Sequence, residues 1–203
     1  MLFNILIQKQ ILKTLFPNHN MKKIIFLLAC LLCVSCAELS ITSVDNIRFT
    51  DTLSVNKALH VPAAYTSKSG TIEGEYRING VTYGKKSLKE KTSITDNGLV
   101  IDTKWHSDNG FQQHVLVKNN RIRKFVDTRK RFRRALCSKG GQYYIIETGY
   151  PITLSEFAKM IAPYCDNAVN LDMGVWGYGW VANQQRLVLY KFNKHKQTNW
   201  LTV

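Results

Sequence analysis

The sequence predicts an α+β domain, mixed and strand-rich, with one main helix in a βαβ unit near the C-terminal half. Three observations predict it. Short apolar stretches are separated by Asn-Gly, Asn-Asn and Gly-Gly pairs, the punctuation of β-hairpins. The apolar period lengthens from two to about 3.6 over Leu154, Phe157, Ala158 and Ile161. A further apolar run, Ala168 to Leu171, follows at once, so strand, helix and strand succeed one another.

The chain opens on a leader pattern. Met21-Lys22-Lys23 precedes the apolar run Ile24 to Val34, and Ser35-Cys36-Ala37 ends it. A basic start, an apolar centre and small residues form a secretory signal. The run is too short to cross a bilayer, which takes about 20 residues. Residues 1–20 sit upstream of this pattern, so Met21 is the expected start. Leu32-Cys33-Val34-Ser35-Cys36 is similar to a bacterial lipobox with Cys36 as the lipidated residue, while Ser35-Cys36-Ala37 also suits ordinary signal cleavage. The expectation is export to the cell envelope as an outer-membrane lipoprotein, the alternative being a periplasmic or secreted protein. The expected organisation is a leader over 1–36, a Ser/Thr-rich tether and entry segment over 37–70, and one domain over 71–203.

Within that domain each element has its own signal. Ile72 to Tyr83 is a hairpin around Asn79-Gly80, a pair suited to a type I′ turn. Lys85 to Lys91 is a polar loop, and Leu99 to Ile101 a short strand after Asp96-Asn97-Gly98. Strands at His114 to Lys118 and Ile122 to Val126 flank Asn119-Asn120. Ala135 to Cys137 and Gln142 to Thr148 bracket Gly140-Gly141. Thr153-Leu154-Ser155-Glu156 is a capping box, and Pro163 ends the helix after about ten residues. The strands on either side of that helix are expected to run parallel. Arg186 to Phe192 is the closing strand.

Charge and composition bound the function. The formal net charge is +14 over 203 residues, with an ordinary apolar content of 45%. This excludes a disordered tail and a multi-span membrane protein. Residues 1–36 hold four of the 28 basic residues and none of the 14 acids, so +10 remains after them. Much of it lies in Arg121 to Arg134, either a solvated edge or a site for anions. Charge alone also suits nucleic acid. Export argues against that partner and for phosphorylated glycans or lipid headgroups. Cys137 and Cys165 can pair in an oxidising compartment, but spacing alone does not decide it. There is no CxxC and no histidine pair at metal spacing. His106, His114 and His195 are isolated and read as surface or packing residues. No metal or other cofactor is called for; calcium stays open as an alternative that nothing in the sequence supports.

One stretch carries the functional signal. Asn167 to Trp180 reads NAVNLDMGVWGYGW. Asp172 ends a buried run at the carboxyl edge of the expected sheet, where βαβ architectures build ligand sites. Gly174, Gly177 and Gly179 allow close backbone approach. Trp176, Tyr178 and Trp180 offer faces that stack on sugars. Equally, such a stretch serves as a glycine turn with aromatics plugging the core.

In order along the chain stand Arg133-Arg-Ala-Leu-Cys137, Tyr143-Tyr-Ile-Ile-Glu-Thr148, Thr153-Leu-Ser-Glu-Phe-Ala158 and Ala168-Val-Asn-Leu-Asp172. This ordered set resembles the phosphodiester glycosidase family, related to the enzyme that uncovers mannose 6-phosphate by removing N-acetylglucosamine. The resemblance covers about residues 112–182. It implies a hydrolase of glycosyl phosphodiesters with a phosphorylated glycan as substrate; the leader adds export and a membrane reached through the lipid. The alternative is a catalytically silent glycan-binding lipoprotein. By position, Arg133 matches the family's arginine, Glu147 its strand-end aspartate, and Asn170 and Asp172 its Asn-Leu-Asp. Asp172 and Glu147 are then the candidate catalytic carboxylates. Arg133, Arg134, Asn170, Gly174, Trp176 and Tyr178 are the candidate substrate contacts. An arginine fork suits phosphate oxygens, and a carboxylate suits an oxocarbenium-like centre. The chain departs from the pattern after Asp172. Met173-Gly174-Val175-Trp176-Gly177 stands where the family has Gly-Gly-Gly-Ser-Ser, and Cys137 replaces a glycine.

Overall fold

The computed structural model describes residues 39–52, 59–173, 180–181, 184–185 and 198–203. Among these, sixteen strands form three sheets around one α-helix, the strand-rich α+β architecture the sequence predicts. Among the described residues no helix is long and apolar enough to cross a membrane. Cys36, Gly174, Trp176, Tyr178, His195 and the expected strand from Arg186 to Phe192 lie outside the described residues.

The six-stranded sheet runs β1(Leu39–Val44), β12(Gln142–Thr148), β11(Arg134–Lys139), β13(Asn167–Asn170), β9(Val115–Lys118), β10(Arg121–Ile122). Its strands alternate apolar residues between two faces, as a pleated backbone requires. Leu136, Ile145 and Val169 enter one core with Phe49, Val61, Phe111 and Leu201 of the other sheets. Their neighbours Ala135, Cys137, Ile146 and Ala168 enter a second core with Phe157, Ala158 and Ile161 of the helix α1(Leu154–Ile161). This sheet is therefore the middle layer. The second sheet runs β15(Gln184–Gln185), β14(Trp180–Val181), β3(Leu59–Pro62), β16(Trp200–Thr202), β2(Arg48–Thr50). The third runs β5(Val81–Tyr83), β4(Tyr76–Ile78), β8(Gly110–Phe111), β6(Lys91–Thr95), β7(Gly98–Asp102).

The turn dipeptides act as their chemistry requires. Asn79 and Gly80 have φ of 51° and 79°, and Asn119 and Asn120 of 49° and 62°. Both pairs hold the positive φ that matches strand twist in a two-residue hairpin. Thr153 caps α1 by accepting from the Glu156 amide, and Glu156 returns a bond from the Thr153 amide, a device worth about 1 kcal/mol.

Three features differ from the sequence expectation. The tether and entry segment is woven into the sheets: β1 pairs along its whole length with β12, and β2 and β3 flank β16. Its mixed polar pattern hid strands whose partners lie far along the chain. The strands joined by α1 do run parallel, since β12 and β13 are each antiparallel to β11, yet β11 stands between them. Beyond Ile122 the basic run leaves the sheet as a loop rather than continuing to Val126. Where the sequence leaves the pairing open, Cys137 and Cys165 are joined as a disulfide with Cα atoms 5.5 Å apart across 28 residues. By loop entropy such a bridge contributes about 3–4 kcal/mol, and it ties β11 to the turn after α1.

Candidate functional site

Those predicted residues that are described gather at one end of the middle sheet. Arg134 begins β11, Glu147 lies near the end of β12, and Asn170 ends β13. Arg134 stands opposite Glu147, and Ala135 opposite Asn170. Beside this end opens a cleft of about 1090 Å³ lined by Tyr65, His114, Arg133, Asn170, Asp172 and neighbours, at the upper end of ligand-site sizes.

Backbone bonds carry Asp172 into the cleft wall. The Leu171 amide donates to the Arg134 carbonyl, and the Asp172 amide donates to the Ala63 carbonyl, each at 2.8 Å. One bond belongs to the middle sheet and the other reaches the segment just after β3. The Thr66 amide donates back to Asp172 Oδ2 at 3.4 Å. Burial pushes the Asp172 carboxyl up to about 6. The Thr66 amide and Arg134 oppose that rise, and the charge of Glu73 adds to it. A carboxyl in this state is ionised at neutral pH and still a competent proton acceptor.

Asn170 is 2% exposed. Its Nδ2 donates to the Tyr65 hydroxyl and to the Leu171 carbonyl, both at 3.0 Å. Its Oδ1 has no hydrogen-bond partner among the described residues. Burial, with the charge of Asp172, pushes the Tyr65 phenol up to about 12, so it remains a neutral donor. The Tyr65 ring packs edge-on against His114 at 5.9 Å. Burial lowers the His114 ring below its ordinary value.

The two arginines separate by strand parity. Arg133 precedes β11 and lines the cleft. Its Nε donates to the Ile152 carbonyl at 3.1 Å and its Nη2 to the Arg129 carbonyl at 2.8 Å. Asp127 lies 3.8 Å from the same Nη2. Asp127 is also held by Arg129 at 2.8 Å, and Arg129's hydrogen bonds push its carboxyl down to about 2. Much of Arg133 is therefore spent on shaping the loop, and burial lowers its own affinity for a proton. Arg134 is wholly buried, and its Nε donates to Glu147 Oε1 at 2.5 Å. Neither Arg134 nor Glu147 lines the cleft. Glu147 shares a strand face with Ile145, which faces the core between sheets. The carboxylate that does line the cleft beside Asp172 and Asp127 is Glu73.

Sequence reasoning did not reach Tyr65, Thr66, Glu73 or Lys68. All four sit in or beside a stretch that reads as a tether, and only the bonds to β13 and Asp172 bring them in. Of the basic run, Arg129, Lys130 and Arg131 line the cleft.

A buried ion pair predicts a distinct pattern of instability. Arg134→Met and Glu147→Leu, each alone, should cost about 3–5 kcal/mol by stranding a buried charge. The double variant should cost less than the sum of the two. Urea unfolding of the four proteins measures this. Additive losses would mean that the pair is not coupled.

No family model matches the chain, and no curated protein matches it in sequence. Solved structures do match. The catalytic domain of zebrafish N-acetylglucosamine-1-phosphodiester alpha-N-acetylglucosaminidase, auto-inhibited by its pro-peptide, superposes with a TM-score of 0.58 at 12% identity, over 81% of each chain. A Synechocystis protein superposes with a TM-score of 0.49 at 11% identity, over 83% of this chain and 57% of that one. The likeness to the zebrafish domain is a distant relationship of fold.

Proposed function

We propose that this protein is an exported hydrolase of glycosyl phosphodiesters, with Asp172 at the reacting centre. The observation that carries the reading is the setting of Asp172. It is a buried carboxylate on a doubly anchored backbone, with a raised proton affinity, in the wall of a cleft rich in arginine and lysine. The fold shared with the zebrafish phosphodiester glycosidase domain supports it.

In this reading the phosphodiester is drawn in by the basic loop. Asn170 Oδ1, which has no partner among the described residues, accepts from a sugar hydroxyl. Asp172 takes the proton of an attacking water whose oxygen bonds to the anomeric carbon. The anomeric C–O bond breaks, and its electron pair leaves with the phosphate oxygen. A phosphate monoester is a weakly basic leaving group, so it needs little help from a general acid. Glu73 is the further carboxylate within the cleft, while Glu147 holds Arg134 in place behind Asp172. The substrate is a phosphorylated glycan of the envelope or of a host. In the same reading Gly174, Trp176 and Tyr178, which lie outside the described residues, are substrate contacts, and Cys36 is the lipid anchor to the outer membrane.

Sugar release from a panel of glycosyl phosphodiesters tests the activity. Wild type should release sugar with a rate that rises with pH through about 6, as Asp172 ionises. Asp172→Asn should lower the rate at least about 100-fold while the protein stays folded. A folded Asp172→Asn variant of unchanged rate would exclude the assignment. Mass spectrometry of the exported protein tests the anchor: diacylglycerol on Cys36 is expected, and a mature N-terminus without lipid would remove it.

A further inference from the structure

Three cations of the cleft stand outside every pairing described above. The cleft residues include five cations, Lys68, Arg129, Lys130, Arg131 and Arg133, against three carboxylates, Glu73, Asp127 and Asp172. Asp127 is shared by Arg129 and Arg133. Lys68, Lys130 and Arg131 are exposed and make no ion pair among the described residues.

They are nonetheless presented from fixed backbone. Arg131 is clamped to Ile152 by a reciprocal pair of hydrogen bonds, its amide at 3.0 Å and its carbonyl at 2.9 Å. Ile152 immediately precedes the capped N-terminus of α1. Lys68 sits in a tight turn closed by bonds from the Ser67 amide to the Thr71 carbonyl and from the Gly70 amide to the Ser67 carbonyl. Two separate stretches of chain thus bring unpaired cations to one cleft. Arg131 and Arg129 both depress the proton affinity of Arg133, while Asp127 raises it, and Arg131 also attracts the Asp172 carboxylate.

The charge count decides how many anions fit. Five cations against three carboxylates leave two positive charges. A glycosyl phosphodiester carries one negative charge, so a single one leaves the cleft still positive. We propose that the cleft takes a glycan with at least two phosphodiester groups. One lies at the reacting centre beside Asp172, and Lys68, Lys130 and Arg131 receive the next along the chain. This rests on the reading of the cleft as a glycosyl phosphodiester site. It makes the substrate a polymer of sugars joined through phosphates rather than a single capped phosphate.

The test compares two probes by calorimetry on the purified protein: the methyl phosphodiester of N-acetylglucosamine 1-phosphate, and a trimer of that unit joined by phosphodiesters. In about 50 mM salt the trimer should bind about tenfold more tightly than the monomer, and the advantage should shrink to less than about threefold in roughly 500 mM salt. In the triple variant Lys68→Ala/Lys130→Ala/Arg131→Ala the trimer should bind no more than about twofold more tightly than the monomer does to that same variant. A trimer bound no better than the monomer, or an advantage that survives in the triple variant, overturns the proposal and leaves the single-site reading standing. Failure of both probes to bind removes the glycosyl phosphodiester reading itself, and the proposal with it. A single-stranded octanucleotide bound as tightly as the trimer would make the cleft a general polyanion site and likewise overturn it.

Discussion

Asp172 is where it is because two successive backbone hydrogen bonds, from the Leu171 amide and from its own amide, hold the chain there. The bond from Leu171 to Arg134 extends the ladder of the middle sheet by one step past β13. The next residue donates instead to Ala63, at the exit of β3 in the second sheet. The cleft stands on that transfer from one sheet to another. It brings the 63–73 segment, with Tyr65, Thr66 and Glu73, against the end of β13. Without it the buried run Ala168 to Leu171 would end in an ordinary turn.

Strand alternation then sorts the charged groups. On β11 and β12, Arg134 and Glu147 share the face that meets the other sheets, and there they neutralise each other. A buried pair of this kind adds little net stability, but losing one member is severe. Arg133, one residue earlier, has the opposite parity and reaches the cleft. There its guanidinium serves two carbonyls and Asp127. The arginines are adjacent in sequence and differ wholly in work: one holds the back wall, and the other shapes the loop that carries the free cations. Asp172 keeps a raised proton affinity because burial outweighs the attraction of Arg134.

What the sequence disclosed was local. Asn79-Gly80 and Asn119-Asn120 announce their turns because few residues accept positive φ. The Thr153–Glu156 box announces the helix start because its bonds span three residues. Asp172 and Asn170 were legible from the end of an apolar run and an ordered resemblance. What stayed hidden depends on partners far away in the chain. β1 pairs with β12 about a hundred residues later, and neither strand alternates cleanly enough to reveal it. β11 lies between the strands joined by α1, a placement decided by its hairpin with β12 rather than by any local pattern. Tyr65 gave no signal, because its role begins only when Asn170 donates to it. Glu147 was legible as a strand-end carboxylate, but its partner across the ladder, which decides what it does, was not.

The central claim is that the fold buries the Asp172 carboxyl and so disfavours its charge, and stability against pH measures this directly. The folded carboxyl titrates at about 6 against an ordinary 3.8. The folded state therefore binds that proton more tightly than the unfolded chain does. Its contribution to stability is present below the ordinary value and is lost as pH rises through the folded value. Asp172→Asn has no proton to lose. Chemical denaturation of wild type and variant from pH 3.5 to 7.5 should show the stability of the variant relative to wild type rising between about pH 4 and 6, by roughly 2–3 kcal/mol, then levelling. A difference that stays flat across this range, or that falls as pH rises, would contradict the account.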